Sequence, residues 1–261
     1  MEKMVKSVNS KRNIFIFDKY DQISDFAVEK WKEISADAIR SKDFFTVALS
    51  GGKTPTAFYE KLSNCRKGLF WNKTHLFLVD ERFVPSDHEQ SNYRMIKEYL
   101  LNGLKIPMEN IHSISTQETT PEKSSENYEK DLRDFFNLNT GEIPTFDLVM
   151  LGIGEDGHTA SLFPRTSSLG ESRRLVVPVT VNRLRNKRIS ITLPVINNAK
   201  NIIFLVSGYD KAEVMKEILE EKNMMLPATR VNPEKGNTIF LLDEKVASLL
   251  SPRYKEVNRG N

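Results

Sequence analysis

The sequence predicts an α/β protein of three layers, a Rossmann-like fold in which a mostly parallel sheet carries helices on both faces. Three observations predict it. Short apolar runs, several nearly continuous, alternate with stretches of helical apolar spacing along most of the chain, the pattern of parallel strands covered on both sides. The runs end repeatedly in glycine, hydroxyl and charged residues, and ligands of open α/β sheets bind at the carboxyl ends of strands. With 261 residues, 39% hydrophobic and 28% charged, the chain has enough apolar material for one substantial core.

In chain order, the run 13–17 reads as a strand, and Ile23, Phe26, Ala27, Trp31, Ile34 and Ala38 then form one helical stripe. Strands are expected at 45–49 and 76–79, with helical spacing at Met95, Ile96, Tyr99 and Leu100 and again at Tyr128, Leu132, Phe135 and Phe136. Strands at 147–152, 175–179, 188–193 and 202–206 follow. The stripe Ala212, Met215, Ile218 and Leu219 precedes a last strand at 238–242. The polar stretch 117–127 reads as a surface loop or a helix lead-in. No repeat or strong linker divides the chain, so a single domain over 1–261 is expected, with 1–12 and 252–261 as flexible ends.

Charge and composition narrow the function. A net charge of +3 is too balanced for a nucleic-acid protein without a local basic stripe. No run approaches the roughly 18 apolar residues of a membrane span, and the opening stretch lacks the apolar core of a signal peptide. The one cysteine, Cys65, excludes an intrachain disulfide and fits a reducing compartment. A cytoplasmic protein is expected, a monomer or small homo-oligomer with a small-molecule ligand and neither nucleic acid nor membrane as partner. His75, His88, His112 and His158 are scattered without metal-ligand spacing, so no metal is expected.

The most informative stretch is 152–164, Gly-Ile-Gly-Glu-Asp-Gly-His-Thr-Ala-Ser-Leu-Phe-Pro, directly after an apolar run. Glycines at a strand end bring bare N–H groups to the rim of the sheet. Among them Asp156 and His158 can reach one ligand, and histidine accepts and returns protons near neutral pH. Gly152, Gly154 and Gly157 satisfy the dinucleotide pattern G-x-G-x-x-G, but the motif lies past mid-chain and Pro164 follows too soon for a long helix. The next strand-like run also lacks a terminal acid, so no nucleotide cofactor is expected.

Other strand ends are ambiguous one by one. Ser50-Gly51-Gly52-Lys53-Thr54-Pro55 suits an anion cradle at a helix start, and equally a tight turn with proline at the first helical position. Asp80-Glu81-Arg82 reads either as a ligand site, with Arg82 as the oxyanion partner, or as a surface ion pair. Arg183, Arg185, Lys187 and Arg188 form a basic loop, which is a solvated charge run or the cationic side of a site. Lys211, after Ser207-Gly208, fits a site cation or a first-turn surface lysine. Together these segments outline a pocket of glycine turns, cations, a carboxylate and a histidine.

From Ser50 to about Asp243 these segments, with Val84-Pro85, Ser91-Asn92-Tyr93 and Leu226-Pro227-Ala228, resemble in order the 6-phosphogluconolactonase family. That family lies within the wider group of glucosamine-6-phosphate deaminases and ribose-5-phosphate isomerases. The run from His158 to Pro164 is similar to the lactonases, whereas the deaminases continue differently after the shared Gly-His. The resemblance implies the sugar-phosphate isomerase/deaminase type of α/β fold. It also implies metal-independent hydrolysis of 6-phospho-D-glucono-1,5-lactone to 6-phosphogluconate, in the oxidative pentose phosphate pathway. On this reading His158 activates water, and Asp156 or Glu155 orients it. Glycines such as Gly154 and Gly157 donate to the oxyanion. The phosphate falls to Arg82, Lys211 and the 50–54 turn, then to Arg188 and Arg185. Asp80 is a further substrate-site residue, and the role of Arg165 is open.

Overall fold

The computed structural model describes residues 3–6, 12–65, 67–181 and 186–254. β1 (Lys3–Lys6) and β2 (Arg12–Phe17) form an antiparallel pair. α1 (Tyr20–Lys42) buries Ile23, Ala27, Val28, Trp31 and Ala38 along one stripe and ends at Asp43, which takes a left-handed conformation (φ 68°). β3 (Phe45–Leu49) and α2 (Thr56–Asn64) follow, then β4 (Thr74–Leu78), β5 (Asp80–Arg82) and α3 (Asn92–Ile96). The α3 coil then widens, and the Asn102 N–H closes it on the Lys97 carbonyl at 2.9 Å. β6 (Ile111–His112) precedes α4 (Pro121–Phe136), which starts with Thr120 accepting from the Lys123 N–H and with proline at its first position. β7 (Leu148–Leu151), β8 (Val176–Val181), β9 (Asn186–Ile191), α5 (Leu193–Asn197), β10 (Asn201–Val206), α6 (Ala212–Lys216) and β11 (Asn237–Asp243) complete the order.

The main sheet runs β1-β2-β11-β10-β7-β3-β4-β6, parallel throughout except for β1 at its edge. Strand alternation assigns its two faces. Phe45, Val47 and Leu49 point toward α1 and α2, where Trp31 meets Phe45 edge-on at 5.3 Å. On the opposite face Phe77 packs edge-on against Phe135 of α4 at 5.1 Å and Phe146 at 5.2 Å. The Tyr128 hydroxyl of α4 donates to the Leu78 carbonyl (2.8 Å) and accepts from its N–H (3.0 Å), fixing the helix to the end of β4.

Two expected strands, 175–179 and 188–193, leave the main sheet. As β8 and β9 they join β5 in a small antiparallel sheet of order β5-β9-β8. Val177, Val179 and Val181 on that sheet form a second apolar cluster with Phe163, separate from the main core. Their apolar faces are covered like those of a parallel strand, which is why the runs read alike in sequence.

The chain proceeds from β3 outward through β4 to β6, then returns to β7 on the other side of β3 and continues through β10 to β11. The switch point of the sheet is therefore the crevice between the carboxyl ends of β3 and β7, where α/β sheets bind ligands. Among the described residues no helix is long and apolar enough to cross a membrane.

Candidate active site

Both glycine segments open onto the switch-point crevice. After β7, the Gly154 N–H donates to the His158 carbonyl and the Gly157 N–H to the Gly154 carbonyl, each at 2.9 Å, closing a tight loop. Thr159 Oγ1 ties the loop back to the Gly152 carbonyl at 2.9 Å. A Cβ on residue 154 would lie 2.1 Å from the His158 ring, so the imidazole lies across a backbone that only glycine leaves bare.

His158 Nδ1 lies 2.5 Å from Asp156 Oδ1, and their side chains are 29% and 27% exposed. An ionised Asp156 holds the proton on Nδ1, which leaves Nε2 as the acceptor. Glu155 is exposed, and the contact belongs to Asp156. The other face of the arrangement is aromatic: Phe163 stacks on the imidazole at 4.3 Å and carries the Arg188 guanidinium 5.3 Å from its ring centre.

After β3, Ser50 is buried, donates through Oγ to the Met150 carbonyl of β7 and accepts at its carbonyl from Tyr59, both at 2.7 Å. Its hydroxyl is thus spent on joining the two strands. None of the Gly51, Gly52 or Lys53 N–H groups donates to another described residue. They stand at the N-terminal end of α2, where unpaired donors and the helix dipole favour an anion. The Lys53 side chain is exposed and Thr54 is half-buried.

The third segment is more deeply set. Asp80 is 4% exposed, accepting from Ser161 Oγ at 2.6 Å and from Asn92 Nδ2 at 3.2 Å. Glu81 is buried and accepts from the N–H groups of Arg82, Asn92 and Tyr93 and from Ser91 Oγ. Burial raises its pKa, against the pull of those backbone donors. Arg82 donates to the Gln90 carbonyl at 2.7 Å. Arg188 donates to Ser161 Oγ at 3.4 Å. Burial lowers the Arg188 pKa, as does Arg82, while Asp80, Asp156 and Glu81 act the other way. Arg188 therefore stands within electrostatic reach of both carboxylates, Asp80 and Asp156.

The structure brings Asp156, His158, Asp80, Arg82 and Arg188 into this one neighbourhood. Lys211 lies at the end of β10, beside β7, and donates to Asp210 (2.6 Å) and the Ser207 carbonyl (3.2 Å). Arg165 is exposed in a left-handed conformation, φ 62°. Arg183 and Arg185 lie outside the described residues. Asn92, Ser161 and Phe163 were not singled out as site residues from the sequence. Their only signal there was membership of the segments Ser91-Asn92-Tyr93 and 152–164. Among the described residues no three His, Cys, Asp or Glu side chains are grouped to hold a metal.

A family model described as glucosamine-6-phosphate isomerases/6-phosphogluconolactonase matches residues 18–240. The chain belongs to this family. Within it, the chain is similar to the 6-phosphogluconolactonase of Synechocystis sp., 41% identical over 217 residues that cover 82% of this chain and 88% of that protein. Its similarity to the human 6-phosphogluconolactonase is 40% over 183 residues, or 69% of this chain and 70% of the other. The crystal structure of the Thermotoga maritima 6-phosphogluconolactonase superposes with a TM-score of 0.78 at 34% identity, covering 89% of this chain and all of that one. The Trypanosoma brucei 6-phosphogluconolactonase gives a TM-score of 0.81 at 30% identity, with 91% and 98% covered.

Proposed function

We propose that this protein hydrolyses 6-phospho-D-glucono-1,5-lactone to 6-phospho-D-gluconate, the lactone step of the oxidative pentose phosphate pathway, with His158 as general base. The observation that carries this reading is the 2.5 Å contact between His158 and Asp156 at the switch-point crevice. Family membership and the names of the relatives support the same substrate.

Water at Nε2 loses a proton to His158 as its oxygen attacks the lactone carbonyl, and Asp156 stabilises the imidazolium that forms. The oxyanion draws on N–H donors of the loop other than those of Gly154 and Gly157, which, against the expectation for these two glycines, are both spent within the loop. Collapse breaks the bond from the carbonyl carbon to the ring oxygen, and His158 returns its proton to that oxygen as the ring opens. The phosphate is held by the free N–H groups of the 51–53 turn with Arg82, Arg188 and Lys211. Binding that remote dianion positions the carbonyl for attack.

A deaminase or isomerase needs a carboxylate free to remove a carbon-bound proton. Asp80 has both oxygens engaged, by Asn92 and Ser161, and Asp156 is engaged by His158, which favours the lactonase reading. The test is to generate the lactone in situ and follow its loss with and without protein, beside ammonia release from glucosamine 6-phosphate. Lactone loss well above spontaneous opening is expected. Ammonia release with lactone loss at background would overturn the reading.

A further inference from the structure

We infer that Asn92 is a positioning residue that locks the anion-cradling turn at Gly51 to the buried carboxylate of Asp80. The inference rests on the reading of that turn as the phosphate site. Asn92 is 1% exposed and sits at the start of α3. Its Nδ2 donates to both the Asp80 carbonyl (2.8 Å) and Asp80 Oδ1 (3.2 Å). Two acceptors on that side fix the amide, because the flipped orientation would set a third oxygen against them.

The Asn92 carbonyl oxygen is therefore forced toward the turn. It is buried there without a hydrogen-bond partner among the described residues. It lies 1.7 Å from where a Cβ on residue 51 would stand, with Cγ at 2.1 Å. A buried acceptor left unpaired costs free energy, so this packing is retained against an electrostatic penalty. The residue has no room to retreat. Its own N–H donates to Glu81 Oε1 at 2.7 Å, and the next N–H, of Tyr93, donates to Glu81 Oε2 at 2.8 Å.

The turn is thus held from two sides. Ser50 is tied to β7 through Met150, and Gly51 is backed by the Asn92 amide. Neither restraint uses the N–H groups of residues 51–53, which stay available to a ligand. Asp80, which accepts from Ser161 beside Arg188, shares the Asn92 amide with the turn. Substrate phosphate and the Asp80 side of the pocket are consequently held in one fixed relation.

The test uses the full chain with Asn92→Ala, Gly51→Ala and the double variant. Lactonase kinetics would be combined with calorimetric binding of 6-phosphogluconate. Asn92→Ala is expected to raise KM and the product Kd about tenfold while kcat stays within about threefold, the signature of lost ground-state positioning. Gly51→Ala is expected to cost about 100-fold in affinity in the wild-type background and clearly less beside Asn92→Ala, because Oδ1 and Cγ are gone and only the residue-92 Cβ, 2.8 Å away, still crowds the methyl. Asn92→Ser, which removes the carboxamide and its bonds to Asp80, replaces the alanine variant if that one does not fold. KM and Kd within about twofold of wild type, or equal costs of Gly51→Ala in both backgrounds, would overturn the inference. Wild-type protein that neither binds 6-phosphogluconate nor hydrolyses the lactone would overturn the functional reading instead.

Discussion

Arg82 and Arg188 face each other directly across the β5–β9 ladder, and the Nε of each guanidinium is buried without a partner among the described residues. Like charges at opposed positions destabilise a sheet, and buried donors without acceptors add to that cost. An anion between the two guanidinium groups would relieve both. On the proposed reading, the pair binds the substrate phosphate at a cost in stability.

Replacing one arginine should consequently stabilise the protein while removing its anion response. Arg188→Met is expected to raise Tm in phosphate-free buffer by about 2–4 °C, the size of roughly 1 kcal/mol in a chain of this length. Added phosphate should raise the wild-type Tm and leave the variant unchanged. Thermal melts with and without phosphate check this, and a variant melting below wild type without phosphate would contradict it.

If His158 is the base, Asp156 acts through its ring. Asp156→Asn keeps the shape of the side chain but no longer favours the proton on Nδ1, so kcat should fall about 100-fold or more. KM should change little, because the phosphate ligands are untouched. Steady-state kinetics on the two proteins separate these outcomes.

Gly154→Ala puts a methyl group into the space of the imidazole, 2.1 Å from Nδ1 and Cε1. The ring must rotate off Asp156, and a loss of at least about tenfold in kcat is expected. Circular dichroism should show an unchanged fold. Activity at the wild-type level would mean that the ring position seen here is not the working one.

The strand ends of the main sheet were legible in the sequence because each buried run stops abruptly at glycine or charge. His158 and Asp156 were legible for the same reason. The partners of Asp80 were not, since Ser161 and Asn92 lie 81 and 12 residues away from it and meet it only through tertiary packing. Nor was the opposition of Arg82 and Arg188, which depends on the register of a small antiparallel sheet. The apolar runs of β8 and β9 look like any other buried strand, so their departure from the main sheet left no local trace. The stretch Lys3–Lys6, read as part of a flexible end, has a strand partner in β2.

Away from the site, His75 Nδ1 and His112 Nε2 lie 3.2 Å apart, joining β4 to the edge strand β6. Burial, with a contribution from His75, holds His112 down to about 4 from its ordinary 6.5. Burial and Lys42 likewise lower His75. Between those values the unfolded chain takes up a proton that the fold refuses, so stability should fall as pH drops from about 6.5 to 4. His112 is partly exposed, and screening reduces the effect to on the order of 1 kcal/mol. His112→Phe, which keeps the stacking on Phe77 (4.1 Å), should make Tm less steep in that window. A steeper or unchanged pH profile would contradict the assignment.

Whether His158 is the base of a lactone hydrolase is decided by the rate of lactone decay with wild type, with His158→Ala and with no protein. The expected result is a wild-type rate far above spontaneous opening that falls to within a few-fold of background in His158→Ala, while that variant still binds 6-phosphogluconate with a Kd within about threefold of wild type. A His158→Ala variant that keeps the wild-type rate would contradict a base at His158.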